Sequence, residues 1–218
     1  MTDKLRPRPY VWPTWITKHL AGEEKCWYKP WVKATRKYKK IPESADRRAF
    51  FDEWTAKHDK LVLARYNRMK ADGWTCRLED EGEFKLQGKT ADLAGKPDIV
   101  GMRTTDTGDF AIVIDGKSGR PKASDHWQVL IYMFALPLSW LPKSYELHGE
   151  IQYTDNTEPV RPLRDAEVQA ISGAIRKISD LSSPPDAVPS ARECERCDVA
   201  SCKSRHKAAP AGDARGYF

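Results

Sequence analysis

Residues 98–102, Asp-Ile-Val-Gly-Met, and residues 111–117, Ala-Ile-Val-Ile-Asp-Gly-Lys, decide the fold. Both segments contain the β-branched residues that favour strands, and a glycine-containing turn separates them. Two adjacent strands would bring Asp98 and Asp115 to one edge of a sheet. Lys117 follows Asp115 by two positions and therefore shares its face, because alternate residues of a strand point the same way.

Two acids and a lysine in this pattern form a candidate site for a hard metal ion. Carboxylate oxygens suit Mg²⁺ or Mn²⁺, and such an ion can activate a water and stabilise a leaving oxygen. A neighbouring lysine can hold or deprotonate that water, which is the chemistry of phosphodiester hydrolysis. The alternative is that Asp98 and Asp115 are turn residues beside Pro97 and Gly116, and for these residues taken alone it is the stronger interpretation.

Length and charge bound the possible classes of protein. The 218 residues, of which 40% are hydrophobic, can bury one sizeable core. The net charge of +6 favours a polyanionic partner only weakly. The sequence lacks a run near the roughly 20 apolar residues of a membrane span, and its first residues lack the apolar core of a signal peptide. We therefore expect a soluble, cytoplasmic protein with no membrane partner.

Helix signals flank the candidate site. Ser44 is a plausible N-cap of a long helix that ends at Asp72, before Gly73. Its apolar positions keep helical spacing and predict a buried stripe that has His58 on or beside it. That stripe comprises Phe50, Phe51, Trp54, Leu61, Val62 and Met69.

The order of elements predicts the fold class. Strands are expected at about 75–80, 83–88, 97–103, 110–115 and 145–153, and helices at 124–138 and 165–181. A mixed sheet flanked by helices follows, which is an α/β or α+β fold.

We expect a single domain over residues 1–205. Within it, residues 10–42 are predicted to be helical and 43–182 to form the core, while 183–190 read as a linker and 191–205 contain clustered cysteines. Residues 206–218 resemble a loose tail.

The N-terminal part interleaves aromatic and basic residues. Such a surface suits stacked bases and paired phosphates. The alternative is a short helical lid whose aromatic residues pack on the core and whose lysines are merely solvated. The aromatic residues are Trp12, Trp15, Trp27, Tyr28 and Trp31, and the candidate nucleic-acid-binding residues are Lys33, Arg36, Lys37, Lys39 and Lys40.

Two further features strengthen the metal-site hypothesis. Gln128 and Tyr132 are four residues apart on the predicted apolar helix and therefore share one face. His58 could reach the same cluster and supply a nitrogen ligand, although a lone histidine on an apolar stripe is more often a core residue.

Taken in order, these motifs resemble a known family. His58, Gly95-Lys96-Pro97-Asp98, Asp115-Gly116-Lys117 and Gln128-x₃-Tyr132 are similar to the motifs of the RecB-type branch of the PD-(D/E)XK nucleases. The resemblance implies a restriction-endonuclease-like fold. It also implies that His58, Asp98, Asp115 and the Gly116 carbonyl bind the metal, that Lys117 positions the water, and that Gln128 and Tyr132 orient the site and the DNA.

The cysteines form a second cluster. Cys194-x₂-Cys197-x₄-Cys202 places three thiols close enough to bind one ion or cluster, and Cys26 is a better fourth ligand than Cys76, which lies within a predicted strand. Four thiolates suit zinc or an iron–sulfur cluster, which spacing alone does not separate. Disulfides are not expected, because the number of cysteines is odd and no export signal precedes them.

The cysteine pattern also resembles a subset of the same family. One N-terminal cysteine and a C-terminal triplet are similar to the iron–sulfur nucleases of CRISPR adaptation and of AddB-type domains. The resemblance implies a [4Fe-4S] cluster that staples the two ends of the domain.

These observations together predict a metal-dependent DNA nuclease, an exonuclease on single-stranded DNA or strand ends. Its partners would be DNA and proteins of recombination, repair or CRISPR adaptation. Two alternatives remain, namely a non-catalytic nuclease-like binding module and a zinc-stabilised binding protein. The sequence leaves cleavage polarity, the preference for DNA over RNA and the oligomeric state open.

Overall fold

The computed structural model describes residues 3–206. We number its helices and strands in chain order. The strands are β1 Lys4–Leu5, β2 Tyr10–Val11, β3 Arg36–Lys37, β4 Thr75–Leu78, β5 Phe84–Gln87, β6 Asp92–Gly95, β7 Ile99–Thr105, β8 Gly108–Lys117, β9 Glu146–Tyr153 and β10 Thr157–Val160. The helices are α1 Thr17–Leu20, α2 Tyr28–Thr35, α3 Ala45–Ala71, α4 Ala123–Ala135, α5 Asp165–Ser179 and α6 Ala191–Glu195.

The main sheet has five strands in the order β10-β9-β8-β7-β4. β8 and β9 are parallel, and α4 makes the connection between them, whereas the other neighbouring pairs are antiparallel. The predicted mixed sheet flanked by helices is confirmed, and it is consistent with a restriction-endonuclease-like fold.

Consecutive residues of β7 and β8 are buried on opposite faces of this sheet. Val100 and Val113 belong to the larger core, which includes residues of α4 and α5. Ile99 and Ile114 belong to a smaller cluster with Val62 of α3. Strand alternation explains this division, because neighbouring side chains point to opposite faces. The strands that bear the candidate acids are therefore covered by helices on both sides.

The long helix has the predicted ends. The Ser44 hydroxyl accepts a hydrogen bond from the Arg47 amide at 3.3 Å, and Gly73 follows the helix with a φ of 83° that favours glycine. The predicted stripe is only partly buried. Val62 and Met69 are buried, but Phe50, Phe51 and Trp54 are exposed. The aromatic residues of the stripe are exposed because only the second half of α3 packs on the sheet.

The pairing of the strands does not follow their order along the chain. β4 pairs with β7, whereas β5 pairs with β6, and β6 also pairs in parallel with β2 in a separate three-stranded sheet. The predicted strands omit β6 and β10. β6, Asp-Leu-Ala-Gly, contains no β-branched residue, and its pairing depends on Tyr10 and Val11 far away in sequence.

The N-terminal part packs on the core as the lid alternative predicts. Trp31 is buried and donates its indole hydrogen bond to the Asp180 carbonyl at 2.7 Å, while Trp15, Trp27 and Tyr28 pack against the same core. The segment is not wholly helical, because β1, β2 and β3 accompany α1 and α2.

The ends of the chain complete the description. Residues 183–190 contain no helix or strand, in agreement with a linker. Of the predicted tail, residues 207–218 lie outside the described residues. Between residues 3 and 206, no helix combines the length and the apolar character that crossing a membrane requires.

The packing of α4 on β9 generates a prediction. A Cβ at Gly149 would lie 2.6 Å from Val129 Cγ1 and 2.7 Å from Met133 Sδ. Gly149→Ala is therefore expected to lower the free energy of unfolding by about 1–3 kcal/mol, the usual cost of overpacking. Urea denaturation followed by circular dichroism measures it.

Gly119→Ala is the matched control for this substitution, because a Cβ at Gly119 has open space around it. Equal unfolding midpoints for the two variants would contradict the close packing of α4 on β9.

Candidate active site and cysteine cluster

The two candidate acids lie side by side at one edge of the main sheet. The antiparallel ladder between β7 and β8 ends at the pair Ile99–Ile114, so Asp98 and Asp115 occupy the next opposed positions. Asp98 Oδ2 accepts a hydrogen bond from the Gly116 amide at 2.6 Å. Asp115 is 1% exposed and lies within β8. The turn interpretation is therefore wrong for Asp115.

His58 contacts the same carboxylate from α3. Its Nε2 lies 3.1 Å from Asp98 Oδ2, and this hydrogen bond raises the pKa of His58 to about 9 against the opposing effect of burial. On its other side, the His58 ring stacks on Trp54 with a centroid separation of 5.2 Å. His58 is thus part of the site rather than an isolated core histidine.

Gly116 allows α3 to approach β8 closely. A Cβ at this position would lie 2.8 Å from Val62 Cγ2 and within 3.5 Å of both Asp98 Oδ2 and His58 Nε2. A side chain larger than hydrogen would push the helix, and with it His58, away from the acids. The glycine between Asp115 and Lys117 therefore has a steric role.

Lys117 and Gln128 surround the Asp115 carboxylate. The Lys117 ammonium pairs with Asp115 Oδ2, and Gln128 Nε2 donates to Asp115 Oδ1 at 2.8 Å. Lys117 also donates to Gln128 Oε1 at 3.1 Å. Gln128 Nε2 lies 2.9 Å from the Tyr132 hydroxyl, which donates to the Lys96 carbonyl at 3.1 Å. The network joins β8, α4 and the segment that precedes Asp98.

Burial controls protonation in this network. Desolvation raises the pKa of Asp115 to about 7, although the Lys117 cation acts in the opposite direction. Desolvation also acts to lower the pKa of Lys117, but the Asp115 carboxylate outweighs it and raises that pKa. Burial raises the pKa of Tyr132 well above its usual value. Lys117 and Tyr132 therefore keep their protons near neutral pH and act as donors.

The donor atoms at this edge suit a hard divalent ion. Two carboxylates and a backbone carbonyl are ligands typical of Mg²⁺ or Mn²⁺, whereas the imidazole is a ligand that zinc, iron or nickel favours more. Asp115 Oδ2 is buried and lacks a well-aligned hydrogen bond, despite its ion pair with Lys117. The donor set fits such an ion, although within residues 3–206 no three His, Cys, Asp or Glu side chains are grouped as in a formed metal centre.

Four of the five cysteines line one cavity, namely Cys26, Cys194, Cys197 and Cys202. All four are free thiols. Cys76 instead lies in β4 and packs with Val62 and Met69. Zinc and iron–sulfur clusters both take thiolate ligands, but among residues 3–206 these thiols are not grouped as in a formed metal centre.

Hydrogen bonds hold the two chain ends together around this cavity. The Glu193 carboxylate accepts from the Cys26 and Lys25 amides, both at 3.1 Å. The Arg205 guanidinium donates to the carbonyls of Cys194, Cys197 and Val199 at 2.6–2.9 Å. Glu193 thus joins the N-terminal and C-terminal segments, which no local sequence pattern indicates, whereas Arg205 organises the C-terminal segment alone.

The five predicted nucleic-acid-binding residues divide into two groups. Lys37, Lys39 and Lys40 are exposed. Lys33 is half-buried and pairs with Asp198 at 3.3 Å, while the half-buried Arg36 lies over the Trp31 ring, 5.0 Å from its centroid. These last two bind the protein itself, because the C-terminal segment and Trp31 pack beside them.

Of the comparisons with known proteins, the one with protein families identifies the family of this chain. No functionally curated protein matches the chain. A solved structure described as the crystal structure of SSO0001 is 15% identical, and the alignment covers 93% of this chain and 90% of that chain with a TM-score of 0.48. The family model described as the PD-(D/E)XK nuclease superfamily matches residues 18–202, which include Asp98, Asp115 and Lys117. The chain therefore belongs to the PD-(D/E)XK nuclease superfamily.

Proposed function

We propose that this protein is a metal-dependent DNA nuclease of the RecB-type branch, an exonuclease on single-stranded DNA or strand ends. Members of the superfamily are generally nucleases that use divalent metals such as Mg²⁺ or Mn²⁺. The observation that carries the proposal is the buried Asp115–Lys117 pair beside Asp98, because a structural pair has no need of a second carboxylate. DNA is the expected partner, together with proteins of recombination, repair or CRISPR adaptation.

The metal ligands in this proposal are His58, Asp98, Asp115 and the Gly116 carbonyl. A Mg²⁺ or Mn²⁺ ion held there would supply a nucleophilic water and stabilise the negative charge that develops on the phosphate. Without the ion, His58 Nε2 and the Gly116 amide hold the Asp98 carboxylate from two sides, and the ion would take the place of the His58 proton shared with Asp98. Pre-orientation of this kind reduces the reorganisation that binding and reaction require.

Lys117 is proposed to position the attacking water. Asp115 Oδ2 and Gln128 Oε1 hold its ammonium group, so its direction is set before substrate arrives. Because Lys117 keeps its proton, it acts as a fixed positive charge and hydrogen-bond donor rather than as a ready base. Gln128 positions both members of the pair, and Tyr132 anchors the loop before Asp98 through the Lys96 carbonyl.

Removal of the lysine or of the charge on Asp115 tests the proposal. Lys117→Ala and Asp115→Asn are each expected to lower the rate of cutting at least about 100-fold, since loss of one preorganised electrostatic contact costs about 10²–10³-fold. The measurement is release of labelled nucleotides from single-stranded DNA with and without Mn²⁺.

Lys143→Ala is the control, because this lysine is exposed in the loop before β9. Intact DNA after incubation of the wild-type protein with Mn²⁺, or equal cutting by all variants, would refute the proposed activity. Bound but uncut DNA in the wild-type protein would favour a non-catalytic nuclease-like module.

We further propose that Cys26, Cys194, Cys197 and Cys202 hold a structural [4Fe-4S] cluster. Support comes from the shared cavity, from Glu193, which binds the Cys26 amide, and from Arg205, which holds the segment of the three C-terminal cysteines. The cluster would contribute stability by joining these ends, because a group that binds only the folded state stabilises that state. Zinc is the alternative occupant.

Cys202→Ser and Cys76→Ser form a matched pair for testing the cluster. In anaerobically purified protein, Cys202→Ser is expected to lose iron and visible absorbance and to lower Tm by about 5 °C or more. Cys76→Ser should keep its iron, because Cys76 lies in β4, away from the other thiols. Colourless wild-type protein that contains zinc, or equal iron content in both variants, would contradict the assignment.

A further inference from the structure

The first half of α3 exposes a group of large aromatic side chains. Phe50 is 63% exposed, and Phe51 and Trp54 are each 38% exposed. We call these three residues the aromatic face. Neighbouring large apolar side chains in water are unfavourable, and such patches commonly mark interaction sites. The remaining residues from 45 to 57 are also exposed, apart from the half-buried Arg47, so the core does not account for this face.

The aromatic face leads directly to the candidate acids. The Trp54 ring stacks on the His58 ring at an interplanar angle of 23°, and His58 contacts Asp98. One side of the indole is therefore covered, while the exposed remainder is available to a second flat ring. Phe50 and His58 are eight residues apart, about 12 Å along a helix, which matches about three nucleotides at a stacked spacing of roughly 3.4 Å.

Charge on the same side of α3 suits a phosphate backbone. At about 100° per residue, Arg47 and Lys57 lie within about 60° of Trp54, and the Arg47 guanidinium lies 5.5 Å from the Phe51 ring centroid. Asp52 and Asp59 point to other sides of the helix, whereas Asp46 and Glu53 lie within about 60° of Phe50 at the edge of the face. Arg47 and Lys57 pair with Glu43 and Glu53, but exposed ion pairs are weak and phosphates can compete for them.

We propose that the aromatic face is a base-stacking platform that guides a single-stranded nucleic acid toward Asp98 and Asp115. The proposal rests on the nuclease function proposed above and assigns the residues that would bind its substrate, a strand with unpaired bases. In a duplex the faces of the bases are covered by their neighbours, so these rings cannot stack on them. An unpaired strand presents a free π-face at every base, and aromatic platforms bind such strands with little sequence preference.

Binding without cleavage tests the platform. Fluorescence anisotropy of a short labelled oligothymidylate, in buffer without divalent metal, measures affinity for the full-length protein. Trp54→Ala is expected to weaken binding about tenfold, in line with the loss of one base–aromatic stack, and Phe50→Ala to weaken it several-fold. Trp54→Phe should restore most of the affinity, since it retains a flat ring.

Leu63→Ala is the matched control. Leu63 is 53% exposed on the same helix, on the side opposite Trp54, and its truncation is expected to leave binding unchanged. An abasic oligonucleotide of equal length keeps the phosphates and removes the bases. Wild-type protein and Trp54→Ala should bind this abasic strand equally.

The outcomes separate the platform from the nuclease. Mn²⁺-dependent cutting that needs Lys117, combined with equal oligothymidylate binding by wild-type protein and Trp54→Ala, would overturn the platform alone. Trp54-dependent binding without any cutting would overturn the hydrolytic function and support the platform. A dimer in sedimentation that Trp54→Ala dissociates, with strand binding unchanged, would show that a second copy covers this face and would overturn the proposal.

Discussion

The burial of the Asp115 carboxylate is the constraint on which the rest of the site depends. Removing a charged group from water is costly unless an opposite charge and hydrogen bonds compensate. Lys117 supplies the charge and Gln128 a hydrogen bond, and these partners come from β8 itself and from α4. The parallel strands β8 and β9 need a connecting segment that crosses the sheet, and α4 is part of it. Gln128, which donates to the buried Asp115, therefore lies on a helix that the sheet topology requires.

The second carboxylate is held by different means. Asp98 precedes β7 and has its direction set by the Gly116 amide and by His58, so it joins both strands and α3. Gly116 makes this arrangement sterically possible, since any Cβ would collide with Val62. One acid is thus fixed by compensation of its charge in the core, and the other by close backbone packing at the edge of the sheet.

Aromatic residues are buried in the N-terminal part of the chain and exposed in the first half of α3. Trp15, Trp27 and Trp31 pack against the core, and the Trp31 indole N–H donates to a backbone carbonyl. The aromatic residues at the start of α3 have the helical spacing of a buried stripe but are exposed, because that half of the helix does not reach the sheet. Spacing therefore identified a helix face correctly but not what covers it. The N-terminal aromatic residues therefore stabilise the core, whereas those of α3 are exposed to solvent.

The sequence by itself determined the ends of α3, the presence of strands β7 and β8, the α/β class and the shared helix face of Gln128 and Tyr132. These features depend on local signals, such as the Ser44 cap, β-branched runs and residues with a fixed spacing on one element. Only the tertiary structure decided the pairing of β6 with β2, the internal contacts of Lys33 and Arg36, and the contacts that join His58 to Asp98 and Gln128 to Asp115. Each of these joins segments distant in sequence, and their pairing is governed by burial and hydrogen bonding across the whole fold rather than by any local propensity.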